Sequence, residues 1–307
     1  MASTSQILLI GAGELGAAFL PHLSALPHTH VTVGVRTPEK HSRLSSLNVS
    51  LLPLDITGPS EVLSQTFANY DIVISATGFG QSTGTLLKLA KEILDAGLLR
   101  KKSSLSRLWF FPWQWGVDYD ITGDGQGLMP LFGEQAAVRN LLRAEADENN
   151  VKWTIVSTGI FMSFLFEQFW GVVETERGSV IVRALRNWGH KITVTDVADI
   201  GRILAPIISG DVDAENTVVY VAGDTVSYEE LAGIVERVAA GKEVKREEWT
   251  IPHLEAELAN DPNDPIKRYR LVFARDGVWW DKEGTVNHKL GMSVIDVEKY
   301  ARGVFGT

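Results

Sequence analysis

The chain has 307 residues, of which 45% are hydrophobic and 22% are charged, a composition typical of a soluble enzyme with one large α/β domain or a domain and a smaller partner. The formal net charge of −9 argues against broad nucleic-acid binding, and the lack of cysteine excludes disulfides, thiolate metal sites and cysteine nucleophiles. The N-terminus resembles neither a signal peptide nor a membrane span, so we expect a cytosolic protein that binds neither nucleic acid nor membrane.

The first motif is an apolar strand that runs into glycines with the spacing G-x-G-x-x-G. Strand, tight turn and helix form the arrangement in which a helix N-terminus receives a dinucleotide pyrophosphate. Such glycines also occur in plain strand-to-helix turns, but a second strand follows about 20 residues later, as in dinucleotide-binding units. We therefore predict that the cofactor contacts the turn residues Gly11, Ala12, Gly13, Glu14, Leu15 and Gly16.

The end of the second predicted strand, residues 31–35, indicates which dinucleotide is bound. An NAD-binding chain usually carries Asp or Glu there, to hold the ribose 2′-hydroxyl. This chain instead carries Arg36, followed by Thr37 and Lys40. A cation and a hydroxyl suit a 2′-phosphate, so we predict NADP(H). The alternative for Arg36 is a solvated surface cation.

Apolar strands and amphipathic helices alternate through the rest of the first half. Strands are predicted at residues 48–55, 71–78, 108–112 and 153–157, and helices at 59–67, 85–99 and 133–149. This alternation predicts an α/β fold with a Rossmann-type doubly wound parallel sheet. Because ligands bind beyond the carboxyl ends of such strands, further cofactor contacts are predicted at Asp55, Thr77, Gly78, Gln81, Pro112 and Thr158.

The pattern changes after residue 160. We predict an NADP(H)-binding domain over residues 1–160 and a smaller α/β substrate-binding region over 161–307, partly interleaved with it. Strands are expected at 180–182, 191–194 and 217–221, the last as a candidate to rejoin the main sheet. Helices are expected at 197–208, from Ser227 to Ala240, and at 293–305.

The catalytic pattern of ordinary short-chain dehydrogenases, Tyr-x-x-x-Lys, is missing, because none of the six tyrosines has a lysine four residues later. The segment Phe111-Pro112-Trp113-Gln114-Trp115-Gly116-Val117-Asp118-Tyr119-Asp120 instead resembles a motif of the isoflavone reductase-like proteins. These belong with the NmrA-like, atypical short-chain dehydrogenases, and the tryptophan-containing variant is similar to a fungal branch. The glycine turn, Arg36, Gln81 and residues 195–201 also match. The resemblance implies an NADP(H)-dependent reductase.

One position departs from the family pattern. The family's reductases place a catalytic lysine in the helix after this loop, where this chain carries Gln135. An amide cannot supply a proton at neutral pH. Either the acceptor needs no acid, as with an iminium or a quinone methide, or another donor acts, with Tyr119, Asp118 and His190 as candidates. The remaining alternative is a non-catalytic NADP(H)-sensing regulator that binds a protein partner, as NmrA-like regulators are thought to do.

The nine tryptophans suit either a core or a pocket for a flat apolar ligand. We predict hydride transfer to or from a bulky aromatic or heteroaromatic molecule of specialised metabolism, with a cyclisation as a possible extension. No metal site is predicted, and a monomer or homodimer is expected. The predicted substrate contacts are Trp113, Trp115, Phe161, Phe164 and Trp188.

Overall fold

The structure is a computed structural model that describes residues 4–239 and 241–306. Its strands are β1 (Ser5–Ile10), β2 (Thr29–Val35), β3 (Val49–Pro53), β4 (Ile72–Ser75), β5 (Leu108–Phe111), β6 (Val151–Ser157), β7 (Ile160–Phe161), β8 (Val173–Thr175), β9 (Ser179–Leu185), β10 (Lys191–Thr195), β11 (Thr217–Tyr220), β12 (Asp224–Ser227) and β13 (Glu243–Trp249).

The helices separate these strands along most of the chain. They are α1 (Glu14–Ser24), α2 (Ser60–Phe67), α3 (Thr85–Lys102), α4 (Tyr119–Thr122), α5 (Pro130–Glu145), α6 (Val197–Ser209), α7 (Tyr228–Val238), α8 (Ile251–Asn260), α9 (Pro265–Phe273), α10 (Val286–Lys289) and α11 (Val297–Phe305). Short 3-10 helices lie at Pro38–Leu44, Met162–Phe166 and Lys282–Gly284.

A seven-stranded sheet confirms the predicted Rossmann-type fold. Its strand order is β11-β6-β5-β4-β1-β2-β3, and the pairs from β3 through β1 and β4 to β6 are parallel. Ile7, Leu8 and Leu9 on β1 are fully buried, as expected of a central strand with both faces covered. The chain reverses its direction of travel across the sheet between β1 and β4, which is the position where doubly wound folds bind ligands.

Two three-stranded sheets lie in the second half of the chain. Their orders are β12-β10-β7 and β13-β9-β8. Strand β13 was not predicted, and the C-terminal helix begins at Val297 rather than residue 293, because Asp296 caps it through Lys299 N. The Ser227–Glu230 capping box at the start of α7 is confirmed, whereas its expected end at Ala240 lies outside the described residues.

The chain divides into two compact units. Unit 1 contains the N-terminal segment through Gln114, then Glu134–Val156 and Ile200–Val219. Unit 2 contains Trp115–Gly133, Ser157–Asp199 and the chain from Tyr220 onward. Within the described residues, no helix combines the length and apolar composition that a membrane crossing requires. The predicted domain boundary at residue 160 stays a prediction.

Candidate functional site

The glycine turn of unit 1 joins β1 to α1. Gly11 has φ +102°, a left-handed conformation in which a side chain is strained, and its N–H donates to the Gly34 carbonyl at 2.9 Å. A Cβ at Gly16 would overlap the Gly11 carbonyl oxygen, so only glycine lets α1 start this close to the turn. Both positions therefore need glycine for the fold itself.

Gly13 differs from its neighbours, because the fold leaves room for a side chain there. Apart from Gly13 and its two chain neighbours, no heavy atom of the described chain lies within 4 Å of the position that a Cβ would take, and φ is −72°. Gly13 is also the N-cap of α1, and no side chain caps this helix end. The N-terminal end of α1 therefore has no side-chain cap and has free space at Gly13, the conditions under which such helices receive a phosphate.

The cationic predicted residues lie just after β2, the neighbour of β1 in the sheet. Arg36, Thr37 and Lys40 are all exposed, and in residues 4–239 and 241–306 no carboxylate forms a salt bridge with Arg36 or Lys40. An exposed guanidinium without an ion-pair partner is available to a 2′-phosphate.

Asp55 follows β3, the next strand. Its Oδ1 accepts hydrogen bonds from Thr57 N at 2.9 Å and Thr57 Oγ1 at 2.7 Å. These bonds lower the pKa of the Asp55 carboxyl, and the positive charge of Arg36 adds a smaller effect in the same direction. Asp55 is therefore a charged residue of a local turn, and its predicted cofactor contact remains to be tested.

The loop after β4 touches the glycine turn on one side and the loop after β5 on the other. A Cβ at Gly11 would lie 3.2 Å from Thr77 Cβ, and one at Gly78 would overlap the indole ring of Trp113. The predicted residues Gly11, Thr77, Gly78 and Trp113 thus form a continuous strip along the carboxyl ends of β1, β4 and β5. Pro112, buried at the end of β5, and half-buried Gln81 belong to the same two loops.

Gln135 lies on α5 and contacts the strip at Trp113. Its side chain is 1% exposed, and Nε2 donates to the Trp113 carbonyl oxygen at 3.2 Å. Gln114 Nε2 donates to the Gln135 carbonyl oxygen at 2.7 Å, and Arg139 Nε donates to Gln114 Oε1 at 2.7 Å. Within the described chain, Gln135 Oε1 is buried and has no hydrogen-bond partner. The residue in the family's lysine position therefore holds the tryptophan loop and keeps one unused acceptor.

Glu134 is a further polar residue of α5 that no sequence motif marks. Its carboxylate accepts hydrogen bonds from three backbone N–H groups: Gly84 at 3.0 Å, Leu86 at 2.7 Å and Leu87 at 3.0 Å. It caps the N-terminus of α3, the helix that follows the Thr77–Gly78 loop. The only signal in the sequence is that Glu134 adjoins Gln135.

The other two predicted catalytic residues lie in unit 2 and make structural contacts there. Asp118 is 7% exposed; its Oδ1 accepts from Asp120 N at 3.0 Å, and its Oδ2 accepts from the Tyr220 hydroxyl at 2.7 Å. Tyr119 is 4% exposed and packs edge-on against Phe132, with ring centroids 5.0 Å apart. Both residues anchor their loop, and their proposed role as proton donors remains a prediction.

The predicted substrate residues of unit 2 divide into separate groups. Phe161 and Phe164 are half-buried and belong to an edge-to-face aromatic cluster with Phe169 and Trp170, with centroids 5.5–6.5 Å apart. We call these four residues the aromatic cluster.

Three further predicted residues lie outside the aromatic cluster. Trp115 is buried, Trp188 carries the Arg246 guanidinium 5.4 Å from its ring, and Thr158 is fully buried with its hydroxyl bonded to the Gly159 carbonyl oxygen at 3.1 Å. In residues 4–239 and 241–306, no group of three or more histidines and carboxylates has an arrangement that could hold a metal ion.

The doubly wound sheet and its open glycine turn place the protein among the Rossmann-type folds. Within that class, the model of the NmrA-like family matches residues 3–276, and the chain belongs to this family. An NmrA-like family domain-containing oxidoreductase of Gibberella moniliformis is 38% identical over 98% of each chain. Membership confirms the resemblance that the Phe111–Asp120 segment indicated.

More distant relatives share the same architecture. An isoflavone reductase homologue of Zea mays is 25% identical over 79% of this chain and 77% of the relative. The solved structure of AtPrR2 with NADP+ and (+)pinoresinol superposes with a TM-score of 0.73 at 17% identity, covering 99% of this chain and all of the other. At this identity the likeness is one of fold. The solved structure contains NADP+, the cofactor that the sequence predicts.

Proposed function

We propose that the protein is an NADP(H)-dependent oxidoreductase of specialised metabolism that transfers a hydride to or from a bulky aromatic or heteroaromatic molecule. The observation that carries the proposal is the strip in unit 1, where the open glycine turn continues through Thr77 and Gly78 to the Trp113 indole. The proposed dinucleotide site is therefore adjacent to the Trp113 side chain. The relatives support this assignment, since they include an oxidoreductase, an isoflavone reductase homologue and a complex with NADP+ and pinoresinol.

The residues of unit 1 fit NADP(H). Gly13 offers room for the pyrophosphate at an uncapped helix end, and Arg36 with Lys40 offers unpaired cations for the 2′-phosphate. When bound, the cofactor supplies or accepts the hydride, and the protein contributes binding, orientation and exclusion of water. The Trp113 ring packs against Gly78, and the Gln135 side chain is hydrogen-bonded to the Trp113 carbonyl oxygen. Because these contacts hold Trp113 in place, its ring can orient a flat acceptor.

Gln135 restricts the reaction type. An amide donates or accepts hydrogen bonds but releases no proton at neutral pH, so it cannot replace a lysine acid. We therefore propose an acceptor that is already strongly electrophilic: a conjugated C=C, an iminium C=N or a quinone methide. Within the described chain, the Gln135 Oε1 atom is buried and accepts no hydrogen bond. A cyclisation that follows hydride transfer is the furthest extension of this proposal.

Two measurements test the proposal. Intrinsic tryptophan fluorescence reports NADPH and NADP+ binding, and NADPH oxidation is followed with a panel of aromatic enones, iminium ions and quinone methides. We expect tight NADPH binding and turnover with at least one electrophilic class. Absence of NADP(H) binding contradicts the proposal outright. The alternative of a non-catalytic NADP(H)-sensing regulator predicts tight binding, no turnover with any acceptor and capture of a protein partner.

Gln135 supplies the mechanistic control. We expect Gln135→Ala to lower kcat, because it removes the hydrogen bond to the Trp113 carbonyl oxygen that holds the loop, while NADPH affinity remains near that of the parent protein. Gln135→Lys tests whether an acid at this position extends turnover to less electrophilic acceptors. If Gln135→Ala leaves turnover unchanged, the reacting atoms do not lie beside this residue.

A further inference from the structure

Unit 2 contains a cavity of about 400 Å³ whose lining combines two arginines with apolar side chains. The arginines are Arg186 and Arg275, the apolar lining includes Ile121, Ile251 and Val272, and Asp276 adds one carboxylate. This volume lies in the range of small-molecule sites. None of the lining residues belongs to the aromatic cluster or to the strip of unit 1.

Arg275 is held in place without being neutralised. It is half-buried, and its Nη1 donates to the Gly125 carbonyl oxygen at 2.9 Å. Over residues 4–239 and 241–306, no carboxylate forms a salt bridge with Arg275. A backbone carbonyl fixes the guanidinium but leaves its charge uncompensated, and the planar group still presents further N–H donors.

Arg186 lines both this cavity and a second one. Its Nη1 donates to Asp276 Oδ1 at 2.9 Å, and the carboxylate is 79% exposed, so water weakens the pair. A neighbouring cavity of about 300 Å³ shares Arg186 and Asp276 and adds Lys191 and Trp279. Lys191 Nζ lies 4.9 Å from the centroid of the Trp279 ring. The linings of the two cavities together contain three cations, Arg186, Arg275 and Lys191, and a single carboxylate, Asp276, in a chain whose net charge is −9.

The backbone around the cavity is fixed in uncommon conformations. Arg186 and Gln126 both have positive φ, +74° and +62°, although neither is glycine. Left-handed non-glycine residues cost free energy and persist only where surrounding contacts impose them. The conformation of Arg186 is held by the hydrogen bond from its N–H to the Trp249 carbonyl oxygen at 2.9 Å. The backbone that carries this cation thus has a defined conformation beside the cavity.

We propose that this cavity binds a small organic anion, a carboxylate or a phosphate ester attached to an apolar group. Guanidinium groups bind both kinds of oxyanion through paired charge-assisted hydrogen bonds, and Arg275 supplies an unpaired one. The apolar walls at Ile121, Ile251 and Val272 receive the body of the ligand. This inference does not rest on the proposed oxidoreductase activity, since no cofactor-strip residue contributes to it.

Calorimetric titration of the full chain with benzoate, phenyl phosphate, inorganic phosphate and uncharged benzamide tests the proposal. We expect saturable binding of benzoate or phenyl phosphate, and the stronger of the two identifies the natural oxyanion. Binding should weaken roughly tenfold in Arg275→Gln, the loss expected for one charge-assisted contact. The matched control Arg177→Gln removes an exposed arginine of the same unit, and the affinity should not change.

Two further variants keep the test decisive. Arg186→Gln also removes a lining cation, and it serves if Arg275→Gln proves unstable in thermal unfolding. Arg36→Ala should leave anion binding intact, which separates this site from the cationic residues predicted to bind the cofactor phosphate. The proposal is overturned if no organic anion saturates, if neither Arg275→Gln nor Arg186→Gln weakens binding, or if inorganic phosphate and benzamide bind as well as the organic anions.

Discussion

At the scale of single residues, Arg36 is the simplest test of cofactor choice. Arg36→Ala should weaken NADPH binding by roughly 10- to 100-fold, because one charge-assisted contact to the 2′-phosphate is lost, and it should leave NADH affinity nearly unchanged. Fluorescence titration of both nucleotides measures the difference. Lys102→Ala, at the far end of α3, is the control. An equal loss for both nucleotides would show that Arg36 does not contact the 2′-phosphate.

Gly13 and Gly16 separate a binding role from a folding role. Gly13→Ala should leave the free energy of unfolding within about 0.5 kcal/mol of the parent, because the added methyl meets open space and φ is favourable, yet NADPH affinity should fall. Gly16→Ala should cost about 1–3 kcal/mol, because its methyl overlaps the Gly11 carbonyl. Urea unfolding with NADPH titration measures both. Unchanged NADPH affinity in Gly13→Ala would place the pyrophosphate elsewhere.

At the scale of elements, α5 connects two neighbouring loops of unit 1. Glu134 caps α3 beyond the β4 loop, while Gln135 and Arg139 hold the loop after β5 through Trp113 and Gln114. Side chains from neighbouring turns of one helix therefore hold both the loop after β5 and the start of the helix that follows the loop after β4. Pre-organisation of this kind reduces the ordering cost of ligand binding.

The Glu134 cap leads to a stability prediction. Glu134→Ala should lower the free energy of unfolding by about 1–2 kcal/mol, since a carboxylate cap at a helix N-terminus contributes on that order. Amide hydrogen exchange should also become faster at residues 84–87, whose N–H groups the carboxylate now binds. Glu145→Ala in the last turn of α5 is the control, because its exposed side chain caps no helix N-terminus. Unaltered exchange at 84–87 would contradict the capping role.

Strand β13 is an element that the sequence pattern did not predict. Five of its seven residues are charged, a composition that predicts a solvated loop rather than a strand. It lies at the edge of its sheet, where the charged side chains find partners from other elements: Glu247 pairs with Arg183 at 2.6 Å, and Arg246 pairs with Glu229 at 2.7 Å. Edge strands tolerate charge because one side of the strand faces solvent.

At the scale of the whole molecule, His190 makes stability depend on pH. It is 7% exposed, and its Nε2 donates to the Phe273 carbonyl oxygen at 2.9 Å. Burial lowers the pKa of His190 below 6.5, and the nearby Arg186 acts in the same direction, whereas the Phe273 bond and Asp276 act against it. The unfolded chain therefore binds a proton more readily than the folded chain.

The sign of this linkage gives the prediction. As pH falls below 6.5 toward the lowered pKa of the folded state, the free energy of unfolding should decrease, and above 6.5 this contribution is fully present. Urea midpoints measured between neutral and mildly acidic pH should fall more steeply in the parent protein than in His190→Gln. Parallel curves for the two proteins would show that His190 is not the group responsible.

The sequence by itself determined the features that depend on local periodicity and local backbone freedom. The alternation of apolar strands with amphipathic helices predicted the doubly wound sheet, and the Ser227–Glu230 pair predicted the start of α7. The G-x-G-x-x-G spacing predicted the tight turn between β1 and α1. These signals work because each depends on residues within one or two turns of each other along the chain.

Only the tertiary structure decided which polar residues meet. Glu134 reaches an N–H group 50 residues away, and Arg275 reaches a carbonyl 150 residues away, so no local pattern marks either contact. The hydrogen bond between Gln135 and Trp113 likewise joins distant segments, and Arg186 and Arg275 line one cavity although they are far apart in the sequence. Folding brings such groups together from distant segments, and their chemistry depends on neighbours that sequence spacing does not encode.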